Sequence, residues 1–113
     1  MYAHTQDLKS AKTQRLRREA GRWLAELRNK AELSQRELAD AIGSEFYTFI
    51  SQIENGKGRI PPDKYRLWAK ALKVDPQIFV QTLLRFYDPV THSILFGEDG
   101  SVVSADATAA SAQ

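Results

Sequence analysis

Cysteine is absent from all 113 residues, which removes disulfides and thiolate metal sites and fits a reducing compartment. No apolar run approaches the roughly 20 residues of a membrane span. The opening stretch MYAHTQDLKSAKTQ lacks the apolar h-region of a secretory signal, so a cytoplasmic protein is expected. Histidine is confined to His4 and His92, far apart in the chain. H-E-x-x-H, G-x-S-x-G and C-x-x-C are missing, and Asn55-Gly56-Lys57-Gly58-Arg59 does not fit G-x-x-x-x-G-K-[ST]. The sequence points away from an enzyme, a metal site or a cofactor, and offers no evident seat for a small-molecule ligand. Positive charge is missing only locally. The last 17 residues, from Gly97, hold Glu98, Asp99 and Asp106 and no base. The first 96 therefore carry all 16 Lys and Arg against 11 acids, an excess of five positive charges. A basic folded part suggests a polyanionic partner, although a solvated helix face accounts for the charge equally well.

What is present is organised around Ser34 to Gly56, SQRELADAIGSEFYTFISQIENG, which reads as two short helices joined by a glycine turn. Ser34 is a good N-cap, Glu37 completes a capping box, and Leu33 with Leu38 can form a hydrophobic staple. The helix is expected over Gln35 to Ile42, ended by a left-handed Gly43. Ser44 is the expected cap of the next helix, about Phe46 to Asn55, which Gly56 ends in turn. On that helix Phe46, Phe49, Ile50 and Ile53 recur at i, i+3, i+4 and i+7 and are read as core. Tyr47, Thr48, Ser51, Gln52 and Asn55 fill the other side, all able to hydrogen-bond and none charged.

Around this stretch, residues 1–11 read as a flexible lead-in. A first helix from about Thr13 to Lys30 carries the stripe Leu16, Ala20, Trp23, Leu24, Leu27 and Ala31, with Gly21 a weak spot worth about 1 kcal/mol against Ala. A basic loop, Lys57-Gly58-Arg59, precedes Pro61-Pro62 and a fourth helix buried through Tyr65, Trp68, Ala69 and Leu72. Asp75-Pro76 opens a fifth, about Pro76 to Tyr87, with Phe79, Val80, Leu83, Leu84 and Tyr87 apolar. Asp88-Pro89 stops it. Ser93 to Phe96 is too short to assign between an extended piece and a helical turn. Residues 97–113 read as a disordered tail, leaving 12–96 as the folded domain.

Helix, glycine turn, helix is the layout of a helix-turn-helix, whose second helix enters the major groove. The run LSQRELADAIG…FISQIENGKGRIPP…LWAKALKVDP resembles the all-α, five-helix DNA-binding domain of the phage repressor and Cro family, the lambda repressor-like or xenobiotic-response-element (XRE) type. The likeness covers about Ala20 to Leu84. It implies a sequence-specific regulator of transcription that binds double-stranded DNA, with repression by promoter occupancy as the default. It further implies base contacts from Tyr47, Thr48 and Gln52; Gln can bond adenine bidentately and the Thr methyl can touch the thymine methyl. Phosphate contacts are implied for Gln35, at a helix N-terminus that favours an anion, and for Lys57 and Arg59 in the loop. Arg36, Ser51 and Asn55 join them at the backbone or rim, and Arg15, Arg17, Arg18, Arg22 and Lys64 are further candidates. Arg28 and Glu54 match the family's internal ion pair.

Two departures from the family pattern stand out. One extra residue lies between Gly43 and Ile50, placed at Ser44-Glu45. The reading helix also has no Lys or Arg, so guanine readout by Arg is unavailable from it. The implied assembly is a homodimer on a palindromic operator, joined through the C-terminal helix and Ile94 to Phe96, and associated with the nucleoid through DNA. An antitoxin of a toxin–antitoxin pair and a protein–protein adaptor on the same fold are the alternatives.

Overall fold

The computed structural model describes residues 2–97, with side chains from Leu8 onward. Six α-helices follow one another: α1 Tyr2–Lys30, α2 Gln35–Ala41, α3 Thr48–Glu54, α4 Tyr65–Leu72, α5 Pro76–Tyr87 and α6 Pro89–Phe96. A single 3-10 turn, Pro62–Lys64, leads into α4. Among the described residues there is no strand, and no helix is long and apolar enough to cross a membrane. The expected tail falls, past Gly97, outside the described residues.

α1 packs against α3 and α5, α2 against α3 and α4, and α4 against α5. The core they enclose is built from Leu24, Leu38, Ile50, Ile53, Ile60, Trp68, Phe79 and Leu83, all with essentially no exposure. Trp23 stacks on Phe79 with ring centroids 5.6 Å apart, tying α1 to α5. The expected stripes supply this core or lie against it through Trp23, Leu24 and Leu27 on the first helix, Tyr65, Trp68, Ala69 and Leu72 on the fourth, and Phe79, Val80, Leu83 and Tyr87 on the fifth.

Three boundaries differ from the sequence-based expectation. The lead-in is helical: α1 begins at Tyr2, not near Thr13. Residues 2–13 hold no Pro or Gly, half of them are Ala, Lys, Gln or Leu, and extending a helix that packing has already nucleated is far easier than starting one. Apolar periodicity marks only the half that packs. The second difference is α6, which makes the expected five helices six. Asp88-Pro89 stops α5 and also starts its successor, since the Asp88 carboxylate accepts from the Thr91 amide at 3.2 Å and its hydroxyl at 2.7 Å. Those two bonds hold the Asp88 carboxyl below its ordinary range. The third is α3, which begins at Thr48, later than Phe46.

Candidate nucleic-acid interface

The helix-turn-helix starts from a fully formed cap. Ser34 Oγ accepts from the Glu37 amide at 3.0 Å, and the Glu37 carboxylate accepts from the Ser34 amide at 2.8 Å. α2 ends at Ala41, one residue before expected, with Ile42 at its C-cap and Gly43 left-handed as expected, at φ +73°. The connection to α3 then takes a different course. Ser44 does not cap α3; its hydroxyl donates to the Phe46 carbonyl at 3.2 Å, within the turn. Tyr47 occupies the N-cap position with helical backbone angles and gives α3 no side-chain cap. Four residues, Ser44 to Tyr47, separate Gly43 from the helix.

One expected core residue is corrected as a result. Phe46 is 67% exposed. The lengthened turn carries it off the helix, so its i, i+3 relation to Phe49 no longer places it on the buried face. Phe49, Ile50 and Ile53 remain on the core side as expected.

The far end of α3 is held tightly. Arg28 Nε and Nη2 donate to the two Glu54 carboxylate oxygens at 2.7 and 3.1 Å, with side chains 14% and 7% exposed. Arg28 Nη1 donates to the Leu33 carbonyl at 2.9 Å, which links the pair to the turn before α2. The Gln35 amide also donates to Glu54, at 2.9 Å. This side chain, expected to meet a phosphate, is committed to the internal network. The packing is close enough that a Cβ at Gly21 would run into the Glu54 carbonyl. Gly56, left-handed at φ +80°, brings the following loop onto α1, where a Cβ would lie 2.9 Å from the Arg18 backbone.

With that end fixed, the outer face of α3 presents Thr48, Gln52 and Asn55 exposed, with Ser51 half-buried. Tyr47 stands beside them, 39% exposed, with the Arg36 guanidinium 4.5 Å over its ring. Two residues expected to meet DNA separately are thus stacked together. Lys57 is exposed in the loop, while Arg59 is turned back. Its guanidinium lies 4.5 Å over the Tyr87 ring, and Nη2 donates to the Tyr65 hydroxyl at 2.9 Å. The Tyr87 hydroxyl in turn accepts from the Ile60 amide at 3.2 Å. Burial pushes the Tyr87 hydroxyl pKa up, so it stays a neutral phenol. Neither Tyr65 nor Tyr87 is marked by the sequence as anything but core, because each closes an apolar stripe.

A family model for helix-turn-helix domains matches residues 24–79, from Leu24 in α1 to Phe79 in α5. The chain belongs to the Cro/C1-type helix-turn-helix (XRE) family. As an XRE-family protein it is a DNA-binding regulator of transcription, and the matched span contains every residue from Arg28 to Arg59 discussed above. The first 23 residues, most of the long α1, and all of α6 lie outside the match. No curated protein matches the chain.

Proposed function

We propose that this XRE-family protein is a sequence-specific repressor that inserts α3 into the DNA major groove. The observation that carries the reading is the split character of α3. It buries Ile50 and Ile53 completely and turns an uncharged hydrogen-bonding face of Thr48, Gln52 and Asn55 to solvent. Such a face can read base edges but contributes little long-range attraction. Affinity then comes from its surroundings. Lys12, Arg15, Arg18 and Arg22 are exposed along α1, Arg36 lies in the first turn of α2, and Lys57 follows α3. In this role Thr48 and Gln52 meet bases, with Tyr47 at the edge of the groove under Arg36, and Ser51 and Asn55 approach the backbone.

A second copy of the chain supplies the symmetry in this reading. α6 leaves Val90, Ile94 and Leu95 at 68, 78 and 54% exposure, and Ile78 on α5 is 64% exposed. Covering these apolar groups in a two-fold dimer would present two reading helices about one DNA turn apart on a palindromic operator.

Selection of bound sequences from a random DNA library, followed by Gln52→Ala on the recovered site, tests the proposal. A palindrome should emerge, and the substitution should weaken binding by about 1–3 kcal/mol with the melting temperature unchanged. Recovery of no preferred sequence, or an equal loss of fold stability, would remove the base-reading role.

A further inference from the structure

The basic loop after α3 is anchored to a part of the chain far from it in sequence. The Arg59 guanidinium lies over the Tyr87 ring, 4.5 Å from its centre, and Arg17 of α1 approaches the same ring at 5.7 Å. The next residue, Ile60, is fully buried and gives its amide to the Tyr87 hydroxyl. Tyr65, in the first turn of α4, accepts one Arg59 N–H. Two elements, α4 and α5, thus converge on one loop residue, and α1 meets the same Tyr87 ring through Arg17.

The chemistry of this arrangement is specific to a guanidinium. A guanidinium has five N–H donors in its plane and none on its faces. The Tyr87 ring lies against the group and the bond to Tyr65 uses one donor. The remaining edge is still able to grip an anion bidentately. Arg59 is only half-buried, so part of its side chain is open to solvent. A free arginine loses rotamer entropy when it binds a phosphate; one whose plane is already set loses less.

We infer that Tyr87 and Tyr65 are positioning residues for DNA binding, holding the Arg59 guanidinium so that its free edge meets a backbone phosphate. The inference rests on the proposed DNA-binding surface and adds to it two residues that touch no DNA. It also makes the end of α5 part of the machinery of the loop, across 28 residues of sequence. The loop amide held by Tyr87 belongs to the same device, because it fixes the backbone from which Arg59 projects.

Fluorescence anisotropy on a mixed-sequence DNA duplex several helical turns long, titrated with salt, tests this on the full chain. Each phosphate contact contributes about 0.9 to the slope of log affinity against log salt. Arg59→Ala should lower the slope by about that amount. Tyr87→Leu should lower it equally, and the double variant should be no worse than either single one. Tyr87→Phe, which keeps the ring, should restore most of the slope. A structural role alone would change the melting temperature and leave the slope intact. The inference is overturned if Arg59→Ala keeps the wild-type slope, if Tyr87→Leu keeps it, or if the two losses add. If Tyr87→Leu does not fold, Tyr65→Phe carries the test: it should weaken binding in the wild-type background and have no effect in Arg59→Ala, and equal weakening in both overturns the inference. Absence of any retention of the wild-type chain at low salt is a different result, which removes the DNA-binding surface itself.

Discussion

The two ends of α3 are built in opposite ways. At its C-terminus, Glu54 takes hydrogen bonds from Arg28 and Gln35, and α1 approaches so closely that Gly21 admits no side chain. At its N-terminus no side chain caps the helix, Phe46 projects into solvent, and Tyr47 is held by a single stacked Arg36. A short helix needs only one firm end to be aimed. The firm end sets the orientation of α3 against the body, and the other end is where an added residue can be taken up.

The largest test of this contrast lies in Glu54→Ala. Both side chains of the pair are nearly buried, so removing the carboxylate strands the Arg28 guanidinium and the Gln35 amide together. A loss of about 3–5 kcal/mol in urea unfolding is expected. A loss below about 1 kcal/mol, the level of an exposed pair, would mean that the C-terminal end is not the anchor.

Gly21→Ala comes next and turns on sign. In an exposed helix interior the change should stabilise by about 1 kcal/mol. Here the new methyl meets the Glu54 carbonyl and its neighbours, which are backbone atoms that cannot rotate away. A destabilisation of about 1–3 kcal/mol is expected instead, read as a lower midpoint at unchanged slope in urea. Stabilisation would show that α1 and α3 can separate at little cost.

Much of this firm end was legible in the sequence. The spacing of Phe49, Ile50 and Ile53 gave the core face, Ser34 with Glu37 gave the cap, and the family likeness gave the pairing of Arg28 with Glu54. Gly21 was visible only as a helix defect, because nothing in a linear sequence says which helix passes over a glycine. The same holds for Arg59 with Tyr87 and Tyr65: their contacts are set by how α4 and α5 return to the loop. α1 was underestimated because its first half is helical by propensity and continuity, and leaves no apolar stripe to read. Phe46 was misread for a different reason. A 3.6-residue period assumes that the helix has already begun, and the extra residue in the turn delays it to Thr48.

That delayed start gives the smallest expected effect. Phe46 lines a shallow apolar recess of about 310 Å³ with Ile42, Phe49 and Pro61, yet two-thirds of its surface stays in water. Phe46→Ser therefore removes little buried area, and unfolding stability should move by no more than about 0.5 kcal/mol. A residue inside the core, such as Ile50, should lose about 2–5 kcal/mol on truncation to Ala. Measured side by side, the two substitutions locate where α3 begins. If Phe46→Ser approached the effect of Ile50→Ala, the ring would have to pack into the recess in solution. The N-terminal end of α3 would then be as firmly held as the C-terminal one, and the extra residue would have to be accommodated by tilting the helix itself.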